Sequence, residues 1–346
     1  MKRIFIIFTA IMTLCPMQAQ IVEQGEPALV YYTPKNTVAI ELSYSVESFE
    51  PGIYAQYAEA MIGATNAVTE RKEVYTLKRA QIGTKTEADY TRPHKIVPEA
   101  GVPMLLNINA KGLLIGYNID NTPKKDDRLY DHKDKKNSSK TTKGEVAPLP
   151  EEVLTASSPL AQAHAVAKQI FHIRETRSYL LNGEVEHAPA DGKSMELVLA
   201  ELDKQEKALT ELFIGKTTKA YKHKTVYINP NKEEKILFFS EENGFTDAEN
   251  IDADTIKITL KADKQVFAAP VVEKKKKNVP AVTQLVYNLP GHCAVSVRYK
   301  GQPLARRTLD IAQFGIDVPV SKELFVGGLP KIVFCEKTGA IVSISK

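Results

Sequence analysis

The chain has 346 residues, of which 43% are apolar and 25% charged, with a formal excess of +4. That length exceeds what one hydrophobic core usually serves and points to two or three structural units. Lys2 and Arg3 supply two of the excess charges, and the balance of the rest excludes nucleic acid or an anionic membrane surface as the expected partner.

MKRIFIIFTAIMTLCPMQAQ has a cationic start, an apolar stretch from Ile4 to Leu14, and the small Ala19 before a cleavage point. It reads as a signal peptide over 1–19, cut before Gln20, which exports the chain to the periplasm or the outer membrane. Bulky Leu14 before Cys15 argues against a lipobox. Nothing later is apolar for long enough to cross a bilayer, so no transmembrane segment is expected in the mature chain.

Residues 20–122 read as an N-terminal β domain. Val38, Ile40, Leu42, Tyr44 and Val46 alternate with Ala39, Glu41, Ser43 and Ser45 as in a half-buried strand. Pro51 and Gly52 break that run, EVYTLKRAQIGTKTEA follows as a strand, and MLLNINAKGLLIGYN reads as a hairpin. Residues 123–150 carry almost nothing apolar as far as Gly144 and read as a charged disordered linker.

Over 151–216 the period changes to that of a helical hairpin. Ser158 and Pro159 form a capped start, the spacing of Ala163, Val166, Ile170, Ile173 and Leu181 predicts an apolar stripe, and Asn182 and Gly183 form a stop. Asp191 is placed to cap a second helix with Met195, Leu199, Leu202, Leu209 and Leu212 inward, ending at Gly215. A β segment over 217–270, a Lys/Pro linker over 271–281 and a C-terminal β domain over 282–346 complete the chain. The fold class expected is therefore α+β, mostly β, with antiparallel β units flanking the helical hairpin.

One phrase, V-Y-x-x-P, recurs in LVYYTP (29–34), TVYINP (225–230) and LVYNLP (285–290). Each Val-Tyr pair favours extended backbone, and each proline lacks a ladder donor, so the phrase reads as a strand ending at a proline. Tyr31, Tyr227 and Tyr287 are read as ordinary strand tyrosines in preference to an aromatic platform for a ligand.

The segment IFHIRETRSYLLNGEVEHAPADGKSMELVLAELDKQEKALTELFIG, with PGIYAQYAEAMIG, FFSEENGFTDAEN, LDIAQFG and KTGAIVSI, resembles a Bacteroidetes exported family known as domain of unknown function four-eight-three-one. The resemblance runs in order along nearly all of the mature chain. It implies a Gram-negative envelope location and brings no catalytic or binding residue with it.

The chemistry-bearing residues give no signature. There is no G-x-S-x-G elbow, phosphate loop, H-E-x-x-H or paired C-x-x-C, so no catalytic, cofactor or metal residue is assigned and no cofactor is expected. His164 and His172 lie about 12 Å apart along a helix, too far for one metal ion. The run from Asp247 to Asp254 places Ile251 where a calcium loop needs a ligand. His292 and Cys293, adjacent in a strand, point to opposite faces. Cys293 and Cys335 leave two readings open, a disulfide or two buried thiols. The cluster most worth testing is His172, Glu175 and Arg177, with Arg177 interrupting the apolar stripe and pairing with Glu184. The expected role is a non-enzymatic structural, binding or accessory component that contacts another envelope protein. The alternative is a periplasmic hydrolase or small-ligand-binding protein with its site near the hairpin.

Overall fold

A computed structural model describes residues 28–96, 104–119, 149, 151–184, 192–246, 253–263, 285–325 and 328–345. The leader, nearly all of the 123–150 linker, the 271–281 linker, Asp191 and most of the Asp247–Asp254 run lie outside the described residues. The alternating stretch belongs to a strand far longer than the usual five or six residues. This strand, β1 (Leu29–Glu50), pairs antiparallel along its length with β2 (Lys72–Ile96) and along its second half with β5 (Lys216–Ile228). Between them come α1 (Ala58–Ile62), β3 (Leu106–Ile108), β4 (Leu114–Tyr117), α2 (Glu151–Thr155), α3 (Pro159–Asn182) and α4 (Gly192–Ile214). After β5 follow β6 (Glu234–Ser240), β7 (Gly244–Thr246), β8 (Asp254–Asp263), β9 (Val286–Tyr299), β10 (Gln302–Pro319), β11 (Lys331–Phe334) and β12 (Ile341–Ser345).

The strands form three antiparallel sheets, in the orders β2-β1-β5, β10-β9-β8-β6-β7 and β12-β11-β4-β3, which makes the fold α+β and mostly β. Two of them draw strands from distant parts of the chain, so the β units read from the sequence do not each close a sheet of their own. The inward residues of β1 (Val38, Ile40, Leu42) meet those of β8 (Ile256, Ile258, Leu260) and β9 (Val295, Val297) in the largest core. A second core gathers Tyr31, Ile96, Tyr117, Leu285, Ile332 and Phe334 under the four-stranded sheet. The helices close a third around Ile170, Leu209 and Phe213.

The prolines of the repeated phrase act differently from the expectation. Pro230 does lie in the turn after β5, but β1 runs through Pro34 and β9 through Pro290. At each of these the ladder slips. Tyr32 pairs with Pro93 and Pro34 with Ala88, so β2 loops out 89–92; Gly291 pairs with Ile311 and Leu289 with Ile316, so β10 loops out 312–315. A residue without an N–H costs least where the ladder is already broken. At the second slip the backbones come so close that a Cβ on Gly315 would stand 1.7 Å from the Leu289 carbonyl oxygen, which only glycine avoids.

These excursions join the sheets. The Gln313 side chain clasps the backbone of Asn36, its Oε1 accepting from the Asn36 N–H (2.8 Å) and its Nε2 donating to the Asn36 carbonyl (2.6 Å). Asn36 in turn accepts from the Ala312 N–H at Oδ1 (2.6 Å) and donates from Nδ2 to the Lys337 carbonyl (2.9 Å) and to Thr86 Oγ1 (3.1 Å). Asn288 donates from Nδ2 to the carbonyls of Ala312 (3.0 Å) and Thr338 (2.8 Å). Asn36 and Asn288 are buried, and the turn at 337–339 links β11 to β12, so one polar knot touches all three sheets. Tyr31 adds a second tie, its hydroxyl donating to the Val286 carbonyl (3.0 Å) and accepting from the Val286 N–H (2.7 Å). The first copy of the phrase thus binds the third.

Asn36→Ala strands the Ala312 N–H in the interior and removes the donor that meets the Lys337 carbonyl, and urea denaturation should show a stability loss of about 3 kcal/mol. Thr86→Ala, which removes only one acceptor of the Asn36 amide, should cost less than half as much; equal losses in the two variants would contradict the knot.

Candidate functional site

The hairpin forms where the local signals place it. Ser158 Oγ accepts from the Ala161 N–H (3.2 Å), Pro159 occupies the first turn of α3, and Gly183 ends that helix at φ 74°. Ala163, Val166, Ile170, Ile173 and Leu180 are buried, and Leu181, expected inward, is 65% exposed. A step of three or four residues from Ile173 reaches Arg177 and then Leu180, so Arg177 holds the stripe position and Leu181 falls beside it. On α4 the buried residues are Leu209 and Phe213, whereas Met195, Leu199, Leu202 and Leu212 are half-buried.

Arg177 does not pair with Glu184 as expected. It reaches across to α4, where its guanidinium contacts Asp203 and lies 2.7 Å from Glu206 Oε2. Arg174 Nε donates to Glu206 Oε1 at 2.7 Å. One carboxylate therefore holds two arginines, and Glu206 lies on the α4 stripe between Leu202 and Leu209 as Arg177 lies on that of α3. Burial acts to raise the Glu206 carboxyl, but the Arg174 hydrogen bond and the charges of Arg177 and Arg174 outweigh it and hold the group below the usual glutamate range. The signal that could have revealed this pair is the interruption of both stripes by opposite charges.

The arginines line a cavity of 540 Å³ with Asn66, Val68, Asp203, Glu206, Lys207, Glu211 and Lys216. Its floor is the passage from α4 into β5. Gly215 turns that corner at φ 81°, where a Cβ would meet the Glu50 carbonyl oxygen at 2.3 Å. His172 and Glu175 lie outside the cavity, both exposed, and Glu175 accepts from the Tyr179 hydroxyl (2.9 Å). The proposed trio is not assembled, because those two residues fall on the helix face turned from α4. Glu186 and His187 lie outside the described residues.

Two further polar groups escaped the sequence reading. In the loop that Pro34 forces on β2, Asp89 pairs with Arg92 (2.8 Å), which also reaches Asp317 of β10 (3.3 Å). His94 Nε2 is 3.5 Å from the same Asp317 oxygen, and its ring stacks on Tyr31 with centroids 5.3 Å apart. Burial, reinforced by the Asp317 charge, pushes the Tyr31 hydroxyl far above the ordinary tyrosine value, so it stays a neutral donor. On the face of β1 opposite Ile40 and Leu42, buried Ser43 and Glu41 place Oγ 3.0 Å and Oε1 3.3 Å from His223 Nδ1 of β5. Both address one ring nitrogen, whereas a nucleophile relay needs its hydroxyl and its carboxylate on opposite nitrogens. Among the described residues no group of His, Cys, Asp and Glu could hold a metal ion.

The cysteines and tyrosines are dispersed. Cys293 and Cys335 are free, the first in the largest core and the second in the chain after β11, so the disulfide reading gives way to two thiols. Across β9 and β10, His292 Nδ1 is 2.8 Å from Asp310 Oδ1, on the face opposite Cys293. Tyr31 is buried and Tyr287 half-buried at the core beneath the four-stranded sheet, whereas Tyr227 is exposed on β5.

The chain belongs to the family described as Domain of unknown function (DUF4831), whose model matches residues 28–342. No curated protein and no solved structure matches the chain. Among the described residues no helix is long and apolar enough to cross a membrane.

The lowered Glu206 carboxyl makes hairpin stability depend on pH with a definite sign. The contribution is complete above the ordinary value of 4.5 and is lost as pH falls through the lower folded value. Glu206→Gln should remove about 1–3 kcal/mol at pH 7, and its urea-denaturation stability should converge with that of the wild type in acid. A gap that stays constant to low pH would refute the clamp.

Proposed function

We propose that this chain is an exported cell-envelope protein of a Bacteroidetes bacterium that works by contacting other proteins and has no reaction of its own. Residues 1–20 and the family resemblance support the export and the origin. The observation that carries the contact reading is the outer edge of the four-stranded sheet. There β12 is paired on one side only among the described residues, and Val342 and Ile344 are 65% and 43% exposed. An edge strand that offers free backbone groups beside apolar side chains takes up an extended segment by strand addition. The small-ligand alternative is weaker, because the cavity lacks His172 and Glu175 and its two arginines are engaged by Glu206 and Asp203.

The test is capture of the tagged protein from its own cell envelope in mild detergent, wild type beside the Val342→Lys, Ile344→Lys double variant, with mass spectrometry of what is retained. The wild type should hold an envelope protein in stoichiometric amount, and the double variant should lose it while remaining folded. Retention of the same partner by both would remove the edge from the proposal, and recovery of the wild type alone would remove the protein-contact reading itself.

A further inference from the structure

We infer that the outer edge of β5 receives an extended segment of a partner protein, one that alternates acidic and apolar residues. This surface lies in a different sheet from β12 and goes beyond the reading of that edge. Among the described residues six strands end the three sheets, and their charges separate them. β3, β7 and β12 are three to five residues long and carry no charge. β10 balances Arg306 and Arg307 with Asp310 and Asp317. β2 mixes Glu73, Glu87 and Asp89 with its cations, and Arg307 of β10 already donates to its Ile82 carbonyl (2.9 Å). β5 is 13 residues long and holds Lys216, Lys219, Lys222 and Lys224 with no acidic residue.

Lysine on an edge repels a like edge, but repulsion alone does not account for how the charges divide between the two faces. β5 pairs with β1 without a register shift, so its side chains alternate strictly. Lys219 and His223 share a face with the exposed Tyr221 and Tyr227, and both are met by carboxylates of β1, Glu47 and Glu41. That face is left aromatic, with its basic groups matched. Lys216, Lys222 and Lys224 share the opposite face, where no described carboxylate forms an ion pair with them. Glu50, level with Lys216, is taken by Arg71 (3.4 Å), and Lys224 lies over the Phe245 ring (4.5 Å). A strand added to this edge sets its side chains level with those of β5. Carboxylates at alternate positions then meet the three lysines, and the apolar residues between them rest on the tyrosines. A nucleic acid carries the charge without that alternation and without the peptide groups that a sheet edge pairs with, so the geometry points to a polypeptide.

The probe is a capped peptide of about ten residues alternating glutamate and valine, titrated into the mature chain at low ionic strength and read by fluorescence anisotropy. It should bind, and a peptide of the same composition with all its glutamates first should bind roughly tenfold more weakly, because only alternation puts the acids on one face. Lys222→Glu should weaken the alternating peptide roughly tenfold. Lys193→Glu, the same reversal of charge at the opposite end of α4 from β5, should leave its binding unchanged. Hydrogen exchange of the β5 amides over 217–222 should slow when the alternating peptide is bound. Equal binding of the two peptides, equal loss in the two variants, or binding without slowed exchange would make β5 a general anion surface and overturn the proposal. Tighter binding of an oligothymidylate of the same length, or no binding of the alternating peptide to the wild type, would overturn it too.

Discussion

The clasp between Asn36 and Gln313 is the interaction on which the rest of the molecule depends. A side-chain amide there does what a neighbouring strand would do, supplying one acceptor and one donor to the backbone of a residue at 2.8 and 2.6 Å. Because the site is buried, each of these groups would otherwise face the full cost of desolvation. The Asn36 side chain returns the same service to Ala312 and Lys337. Three sheets are thus tied through buried donors and acceptors, which specifies their arrangement in a way that apolar packing alone does not.

Proline explains why the clasp can exist. A continuous ladder beside β9 would leave Ala312 and Gln313 paired with their neighbours and unable to turn toward β1. Pro290 removes a donor, β10 slips by the residues 312–315, and the displaced backbone is carried to Asn36. Pro34 does the same to β2, and the loop it releases, 89–92, brings Asp89 and Arg92 to Asp317. In its first and third copies the phrase is therefore a device for breaking register inside a strand that continues, and in its second it ends the strand. Its buried tyrosine in the first copy, bonded to Val286 in the third, sets the two slips side by side.

Legibility in the sequence followed the range of the forces. The alternation from Val38 to Val46, the Ser158-Pro159 start and the Asn182-Gly183 stop are local, and their elements stand where those residues place them. The course of β1 through Pro34 was not legible, because a missing donor looks like a terminus until the slip of a distant partner is known. The pairing of β1 with β5, on the far side of the hairpin, was hidden for the same reason. In the candidate site, Arg177 was recognisable as a charge on an apolar stripe. Its partner was misassigned to the nearby Glu184, although Glu206 interrupts the facing stripe in the same manner. Two interruptions of opposite sign on helices that must pack are better read together than one at a time.

The distribution of charge gives the fold its functional direction. Around the hairpin, in the loop after Pro34 and beside His223, charged side chains meet oppositely charged or polar partners within the chain. On β5 lysines line an edge, Lys219 paired with Glu47 of β1, and oppose casual pairing, which is how a long exposed strand is kept from aggregation. β12 carries no charge; Ile341 packs against the core beneath the sheet, and Val342 and Ile344 are exposed. An edge left in that state tends to take up an extended segment by strand addition.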